Sequence, residues 1–163
     1  MRLTFLGTGS AMPVGRAQSG TLLEADGGTL LVDCGSGVLD GLSATDVGYE
    51  SVDTVLLTHH HLDHVSDLDV LTIAGPPGTA DLVRELLGVH EYMQDRLDLT
   101  LRDLDEAAFE LAGFEGTARE TRHSMQCFAY RLSPAGGGPT VAVSGDSEAF
   151  EGLAEFADGA AIL

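Results

Sequence analysis

The sequence predicts an α/β protein of two sheets covered by helices, folded as a single domain over residues 1–163. Three observations predict this. Short apolar runs bounded by turn residues recur along the chain, which is the pattern of strands. Helical patterns are few, and strands follow one another in pairs as often as they alternate with helices, unlike a doubly wound parallel sheet. Val55, Leu56 and Leu57 are consecutive and apolar, as in a strand covered on both faces.

Taken in order, the strand-like runs are Arg2–Leu6, Thr21–Ala25, Thr29–Val32, Thr54–Thr58, Val70–Ala74, Leu99–Leu101, Gly116–Arg122, Phe128–Leu132 and Thr140–Ser144. Gly136-Gly137-Gly138-Pro139 reads as the turn between the last two. Four segments read as helices. Val38–Leu42 is the first and shortest. The second is N-capped by Thr79 and carries Leu82, Val83, Leu86, Leu87, His90 and Met93 as one apolar stripe. Asp105–Leu111 is the third. Ser147–Phe156 is the fourth, with acids in its first turn.

Charge narrows the function classes. The chain has 26 acidic residues against 8 cations, all arginine, for a formal net charge of −18. That balance argues against a basic nucleic-acid-binding patch and against electrostatic membrane anchoring. With 44% apolar residues it does not read as disorder. The acids are dispersed, as on a halophilic surface: in molar salt the Debye length falls to roughly 3 Å and crowded carboxylates repel weakly. The apolar run Leu3–Leu6 is too short for a signal peptide or membrane span, so the expected location is cytoplasmic, with no membrane partner. Cys34 and Cys127 form no Cys-x-x-Cys pair and read as small buried hydrophobes.

The chemistry concentrates directly after the buried strand, in Thr58-His59-His60-His61-Leu62-Asp63-His64. Four of the six histidines in the protein fall within these positions. His59 and His61, two apart at a strand end, project to one side. A helix beginning near Leu62 would place Asp63 and His64 in its first turn, turned toward the same point. Neutral imidazoles and a carboxylate suit Zn²⁺ or another divalent first-row metal, with manganese and iron as alternatives. The set holds more donors than one catalytic metal needs, and two divalent ions use them all. His60 faces away or hydrogen-bonds behind the ligands.

Further ligands must come from elsewhere in the chain. His123, in a loop just after a strand, can point into a site, whereas His90 on an apolar helix face reads as packing. Asp146 lies between a strand and a helix; it is either an N-cap or a carboxylate able to bridge two ions. Asp33, also at a strand end, is either turn chemistry or an acceptor holding the histidine loop from behind. The Gly7–Gly9 loop is either a phosphate-facing backbone or a tight turn.

His59-x-His61-x-Asp63-His64, with Asp33 before it and His123 then Asp146 after it, resembles the ordered motifs of the metallo-β-lactamase superfamily. The opening Phe5-Leu6-Gly7-Thr8-Gly9-Ser10-Ala11-Met12-Pro13, with Arg16 and Ser19-Gly20, is similar to the ribonuclease Z branch: tRNA 3′-end endonucleases and their phosphodiesterase relatives. Asp33-Cys34-Gly35 and the string from His123 to Ser147 are similar to it too. The resemblance implies a four-layer αββα sandwich with the metals at one edge between the sheets. It implies His59, His61 and His123 on one metal, Asp63 and His64 on the other, and Asp146 bridging. It also implies a phosphodiester substrate, including tRNA, and a homodimer. Two divalent ions lower the pKa of a water held between them and neutralise charge developing on a phosphoryl group. Asp63 is then both a ligand and the catalytic proton acceptor.

Three features depart from that pattern. The family's last ligand histidine and the His-Glu motif before it have no counterpart ahead of Ala160-Ala161-Ile162-Leu163. Asp67-Leu68-Asp69 reaches Ala74-Gly75-Pro76-Pro77 almost at once, where relatives place a helix and loop. No long Gly- and Lys-rich arm is present. The expectation is therefore an incomplete second half of the sandwich. A thioester, lactone or other non-phosphate hydrolase of the same fold, and a metal-binding protein without turnover, are the competing functions.

Overall fold

The computed structural model describes residues 1–66, 72–89 and 98–161. Strand β1 (Arg2–Gly7), β2 (Gly20–Ala25) and β3 (Gly28–Val32) form an antiparallel meander. Beside β3 run the parallel strands β4 (Thr54–Leu56), β5 (Thr72–Gly75) and β6 (Thr100–Asp103), giving a six-stranded sheet in the order β1-β2-β3-β4-β5-β6. A second, antiparallel sheet has the order β10-β9-β8-β7, from β7 (Ala108–Leu111), β8 (Phe114–Glu120), β9 (Phe128–Pro134) and β10 (Val141–Val143).

Alternating side chains explain why the first sheet is apolar along successive residues. Leu23, Leu30, Val32 and Leu56 face inward and meet Phe109, Phe114, Phe128, Tyr130 and Leu132 of the second sheet. Leu22, Leu31 and Val55 face outward, under α1 (Val38–Ser43) and α3 (Thr79–Gly88), which contribute Val38, Leu42 and Val83. On the far side α4 (Glu151–Ala157) lies against β9, where Arg131 donates to the carbonyls of Phe156 and Asp158, each at 2.6 Å. Helices, sheet, sheet and helix are the four layers that the resemblance implied, with a single short helix on the second sheet among the described residues.

Three local expectations are corrected. Asp105–Leu111 contains a strand, not a helix: Phe109 and Leu111 alternate into the core while Ala108 and Glu110 face out. A two-residue hairpin joins β7 to β8, and its Ala112 and Gly113 both have positive φ, 48° and 80°. The composition of that segment suits a helix, but the core needed a period of two. Thr79 is not an N-cap; Gly78 occupies that place in the left-handed region, and the Thr79 hydroxyl donates to the Pro76 carbonyl at 2.7 Å. The last helix starts at Glu151, so Ser147–Phe150 is not helical. Of the two readings of the Gly7–Gly9 loop, the structure supports close chain packing. Gly9 N–H donates to the Ala17 carbonyl at 2.8 Å, and a Cβ on Gly7 would overlap the Gln18 carbonyl. His90 and Met93 lie outside the described residues, as do Asp67, Leu68 and Asp69.

Candidate metal centre

In a parallel pair both strands end at the same edge, so the turn after β3 (Asp33) and the loop after β4 (Thr58–His64) emerge side by side. In the second sheet β8 and β10 run the same way, flanking β9, and deliver His123 and Asp146 to their common end. The two edges are stitched together. Phe128 N–H donates to the Thr58 carbonyl at 2.9 Å, and the buried Tyr130 hydroxyl donates to the Leu57 carbonyl at 2.8 Å. Thr121 and Arg122 hold the Asp146 loop, the first through its hydroxyl to the Asp146 carbonyl at 2.9 Å, the second by accepting Glu148 N–H at 2.7 Å.

Beyond β4 the chain leaves the ladder, and α2 (Leu62–Val65) begins one residue after His61. Cys34 N–H donates to the His64 carbonyl and Ser19 N–H to the Asp63 carbonyl, tying α2 to the turn after β3. Gly35 is required at that approach, since a Cβ there would overlap the Asp63 carbonyl.

Asp33 holds this assembly from below. Buried, with φ of 59°, it accepts Thr58 N–H at 2.8 Å, the Thr58 hydroxyl at 2.9 Å and His64 Nδ1 at 2.7 Å. Left-handed backbone is tolerated by aspartate better than by most residues. The network assigns the ring protons. An ionised carboxylate only accepts, so the Thr58 hydroxyl gives its proton to Asp33, and its oxygen then accepts from His59 Nδ1, 3.0 Å away. His64 Nδ1 likewise carries a proton. His59 therefore turns an unprotonated Nε2 toward the site, and His64, held through its Nδ1 proton, turns its Nε2 the same way.

The donor atoms converge there. His59 Nε2 lies 3.0 Å from His61 Nδ1, and His61 Nδ1 lies 3.2 Å from His123 Nε2. One donor atom each from His59, His61, His123 and Asp146 all fall within 4.8 Å of one another. Asp146 divides its carboxylate: Oδ2 stands 3.9 Å from both His59 Nε2 and His123 Nε2, while Oδ1 stands 3.8 Å from His64 Nε2. Asp63 Oδ2 stands 3.8 Å from the same His64 nitrogen. The carboxylate separations of 3.8–3.9 Å are too long for hydrogen bonds but suit atoms sharing an ion at about 2.0–2.2 Å. Three imidazole nitrogens and a carboxylate oxygen gathered within 4.8 Å are donors of the type that a divalent metal takes, so the residues present suit one.

Burial and charge act differently on the rings. Burial, then the neighbouring His64, lowers the His59 pKa to about 4, so its Nε2 stays unprotonated at neutral pH. Burial also pulls His64 down, but the hydrogen bond and charge of Asp33, with Asp146 and Asp63 beyond, outweigh it and leave its pKa raised. His60 points the other way, its Nε2 2.7 Å from Thr79 Oγ1, and burial lowers its pKa.

The structure thus gathers His59, His61, His123 and Asp146 in one group and sets Asp63 and His64 on the other side of Asp146, with Asp33 behind them. Asp146 is no N-cap, because α4 starts five residues later. Sequence reasoning gave no role to Thr58, the hydroxyl that links Asp33 to His59, or to Ser19, whose hydroxyl lies 3.4 Å from Asp33 Oδ2. Thr58 could have been found from its place between a buried strand and the first ligand; Ser19 stood out only as part of the Ser19-Gly20 resemblance, with no role attached. The groove on the outer face of the second sheet, with Arg102, Glu110, Glu115 and Arg131 in its lining, shares no residue with this centre.

Comparison with known proteins gives the same class. Residues 1–104 match the family described as Anti-Pycsar protein Apyc1. A ribonuclease Z of Mycolicibacterium paratuberculosis is 33% identical over an alignment covering 100% of this chain and 69% of that protein. The metallo-β-lactamase fold protein YhfI of Bacillus subtilis superposes with a TM-score of 0.79 at 26% identity, covering 97% of this chain and 67% of that one. Human tRNase Z, short form, shares the fold with a TM-score of 0.75 at 22% identity, covering 98% of this chain and 75% of that one. The chain spans only 38% and 37% of the length of two other ribonucleases Z that it matches. The fold and the histidine–aspartate cluster are those of the metallo-β-lactamase class. The chain belongs to the ribonuclease Z-like family of that class, and by its first 104 residues to the family described as Anti-Pycsar protein Apyc1.

No helix among the described residues is long and apolar enough to cross a membrane.

Proposed function

We propose that the chain is a hydrolase of phosphodiesters that uses two divalent metal ions, zinc by preference, with a tRNA 3′ trailer or a small cyclic or linear phosphodiester as substrate. The observation that carries this reading is the divided carboxylate of Asp146, with one oxygen toward His59 and His123 and the other toward His64. A carboxylate so placed can serve one ion with each oxygen. His59, His61 and His123 would hold the first ion and Asp63 and His64 the second. When bound, the ions supply Lewis acidity and bring the pKa of water toward neutrality.

The chain's own residues do the rest. Asp33 and Thr58 hold the His59 and His64 rings in the tautomer that offers Nε2. His61 and His123 close the first group from opposite sheets, so the centre forms only when the two sheets are packed together. The Asp63 carboxylate, largely buried beside His64, is the group that accepts a proton from the attacking water. The ribonuclease Z relatives support an RNA substrate, and the human neighbour is named a tRNase Z. We extend the reading to a cytoplasmic protein with a salt-adapted surface, acting as a homodimer.

A second reading, a metal-binding protein without turnover, draws on the smaller donor set of Asp63, His64 and the shared Asp146 on the second side. Metal analysis with hydrolysis of bis(p-nitrophenyl) phosphate, a thioester, a lactone and a 3′-extended tRNA separates the readings. The proposal expects two metals per chain and phosphodiester turnover that is lost in His61→Ala. Turnover confined to the thioester or lactone, or one metal with no turnover, would overturn it.

A further inference from the structure

Past Thr58, which Asp33 and the Phe128 N–H hold, the segment carrying the ligands lies outside the strand ladder until α2 begins, so the ladder does not fix its roll. Successive side chains of extended backbone point to opposite sides, so His59 and His61 face the metal centre only while His60 faces away from it. On that away side stands the first turn of α3. His60 Nε2 lies 2.7 Å from Thr79 Oγ1, and Thr79 is wholly buried. The Thr79 hydroxyl has one proton, and the Pro76 carbonyl takes it at 2.7 Å. Thr79 Oγ1 is therefore the acceptor, and His60 donates Nε2–H to it. Thr79 is itself anchored, because Asp103 at the end of β6 accepts Gly78 N–H at 3.0 Å and Ala80 N–H at 2.9 Å, one on either side of it. A rigid line thus runs from β6 through the start of α3 to the middle residue of the ligand segment.

We infer that His60 is a positioning residue: through Thr79 it locks the roll of the segment and so aims His59 and His61 at one point. It touches no ligand atom and lies apart from the Asp33–Thr58 network, which acts on the opposite side of the same segment. The inference rests on the proposal that the cluster binds divalent metal. Groups that orient ligands from behind are worth about 10–100-fold in metal affinity, and the expectation here lies near the lower figure.

The test is zinc affinity, measured by competition with a chromogenic chelator on the full chain, alongside thermal unfolding of the metal-free protein. His60→Ala and Thr79→Val should each weaken zinc binding about tenfold, and the double variant should weaken it no further, because both remove the same bond. Thr79→Ser keeps the hydroxyl and should bind zinc as the wild type does. A purely structural role for Thr79 would lower the metal-free unfolding temperature of Thr79→Val and leave the zinc affinity of His60→Ala unchanged. That last result, or losses that multiply in the double variant, would overturn the inference while leaving the metal centre standing. A wild-type chain that binds no zinc would overturn both.

Discussion

Asp33 Oδ2 lies 2.7 Å from His64 Nδ1, on the edge of the ring that faces away from Asp63 and Asp146. The two residues are 31 positions apart, and both are buried. The contact orients the ring, fixes its tautomer and supplies the negative charge that keeps His64 easily protonated when no metal is present.

Removing that carboxylate should be costly. Asp33→Ala leaves the Thr58 N–H and the His64 Nδ1–H without their acceptor inside the protein. The expected loss is about 3–5 kcal/mol, the usual result of deleting one member of a buried ionic pair. Asp33→Asn keeps the shape and tolerates the left-handed backbone, and should lose about 1–2 kcal/mol. Urea denaturation of the metal-free chain measures both; a loss below about 1 kcal/mol for alanine would remove Asp33 from its central place.

The divided carboxylate of Asp146 makes a different forecast. Asp146→Ala should leave the fold intact, since its side chain is 49% exposed. Zinc binding should weaken by about 100-fold or more, at or above the upper end of the range found for groups behind the ligands. Titration calorimetry should show stoichiometry falling from two ions to one. Two sites of undiminished affinity would argue that the oxygens do not serve both groups.

Two histidines shape the pH dependence of the metal-free protein in opposite directions. His59 is lowered from its ordinary value of 6.5 to about 4 in the fold, so between those values the unfolded chain binds more protons and stability rises with pH. His64 is raised, so above 6.5 the folded chain binds more protons, and stability falls as pH climbs through the raised value. Together they predict a maximum near pH 6.5. Urea midpoints measured in chelator from pH 4 to 9 should trace that dome, and a steady climb from pH 6.5 to 9 would contradict the His64 assignment.

Gly145, next to Asp146, sits where the two sheets touch. Its φ is 58°, and a Cβ there would stand 2.9 Å from Cys127 Sγ and from Thr58 Cβ. Gly145→Ala combines a left-handed backbone with overpacking and should cost about 2–4 kcal/mol. Because the strain falls on Thr58, zinc affinity should drop with it. An alanine variant as stable as the wild type by thermal unfolding would mean that the sheets separate there at little cost.

Much of the first sheet could be read in advance. Leu22-Leu23 and Leu30-Leu31-Val32 place apolar groups on both faces, and only strands buried on both sides tolerate that. The β7 strand escaped because Asp105-Glu106-Ala107-Ala108 suits a helix by composition, while the pairing of Phe109 with Gly116 across the hairpin is a tertiary fact. The start of α4 was misplaced for a related reason. Acids and a serine after Asp146 look like a first turn, yet that stretch is held extended by the bond from Glu148 N–H to Arg122.

The site divides in the same way. Residue types, spacing and order were enough to single out His59, His61, Asp63, His64 and His123 as candidate donors, because metal chemistry restricts which side chains can take part, and the family resemblance added Asp146. Neighbours in sequence could not say which nitrogen of each ring is free, that Thr58 carries the link from Asp33 to His59, or which ligands Asp146 divides itself between. Those outcomes depend chiefly on hydrogen bonds and approaches between residues 23 to 87 positions apart, joined only when two sheets close on one core. Periodicity records which face a side chain prefers; distance and direction at the edge of the sandwich exist only once the chain has packed.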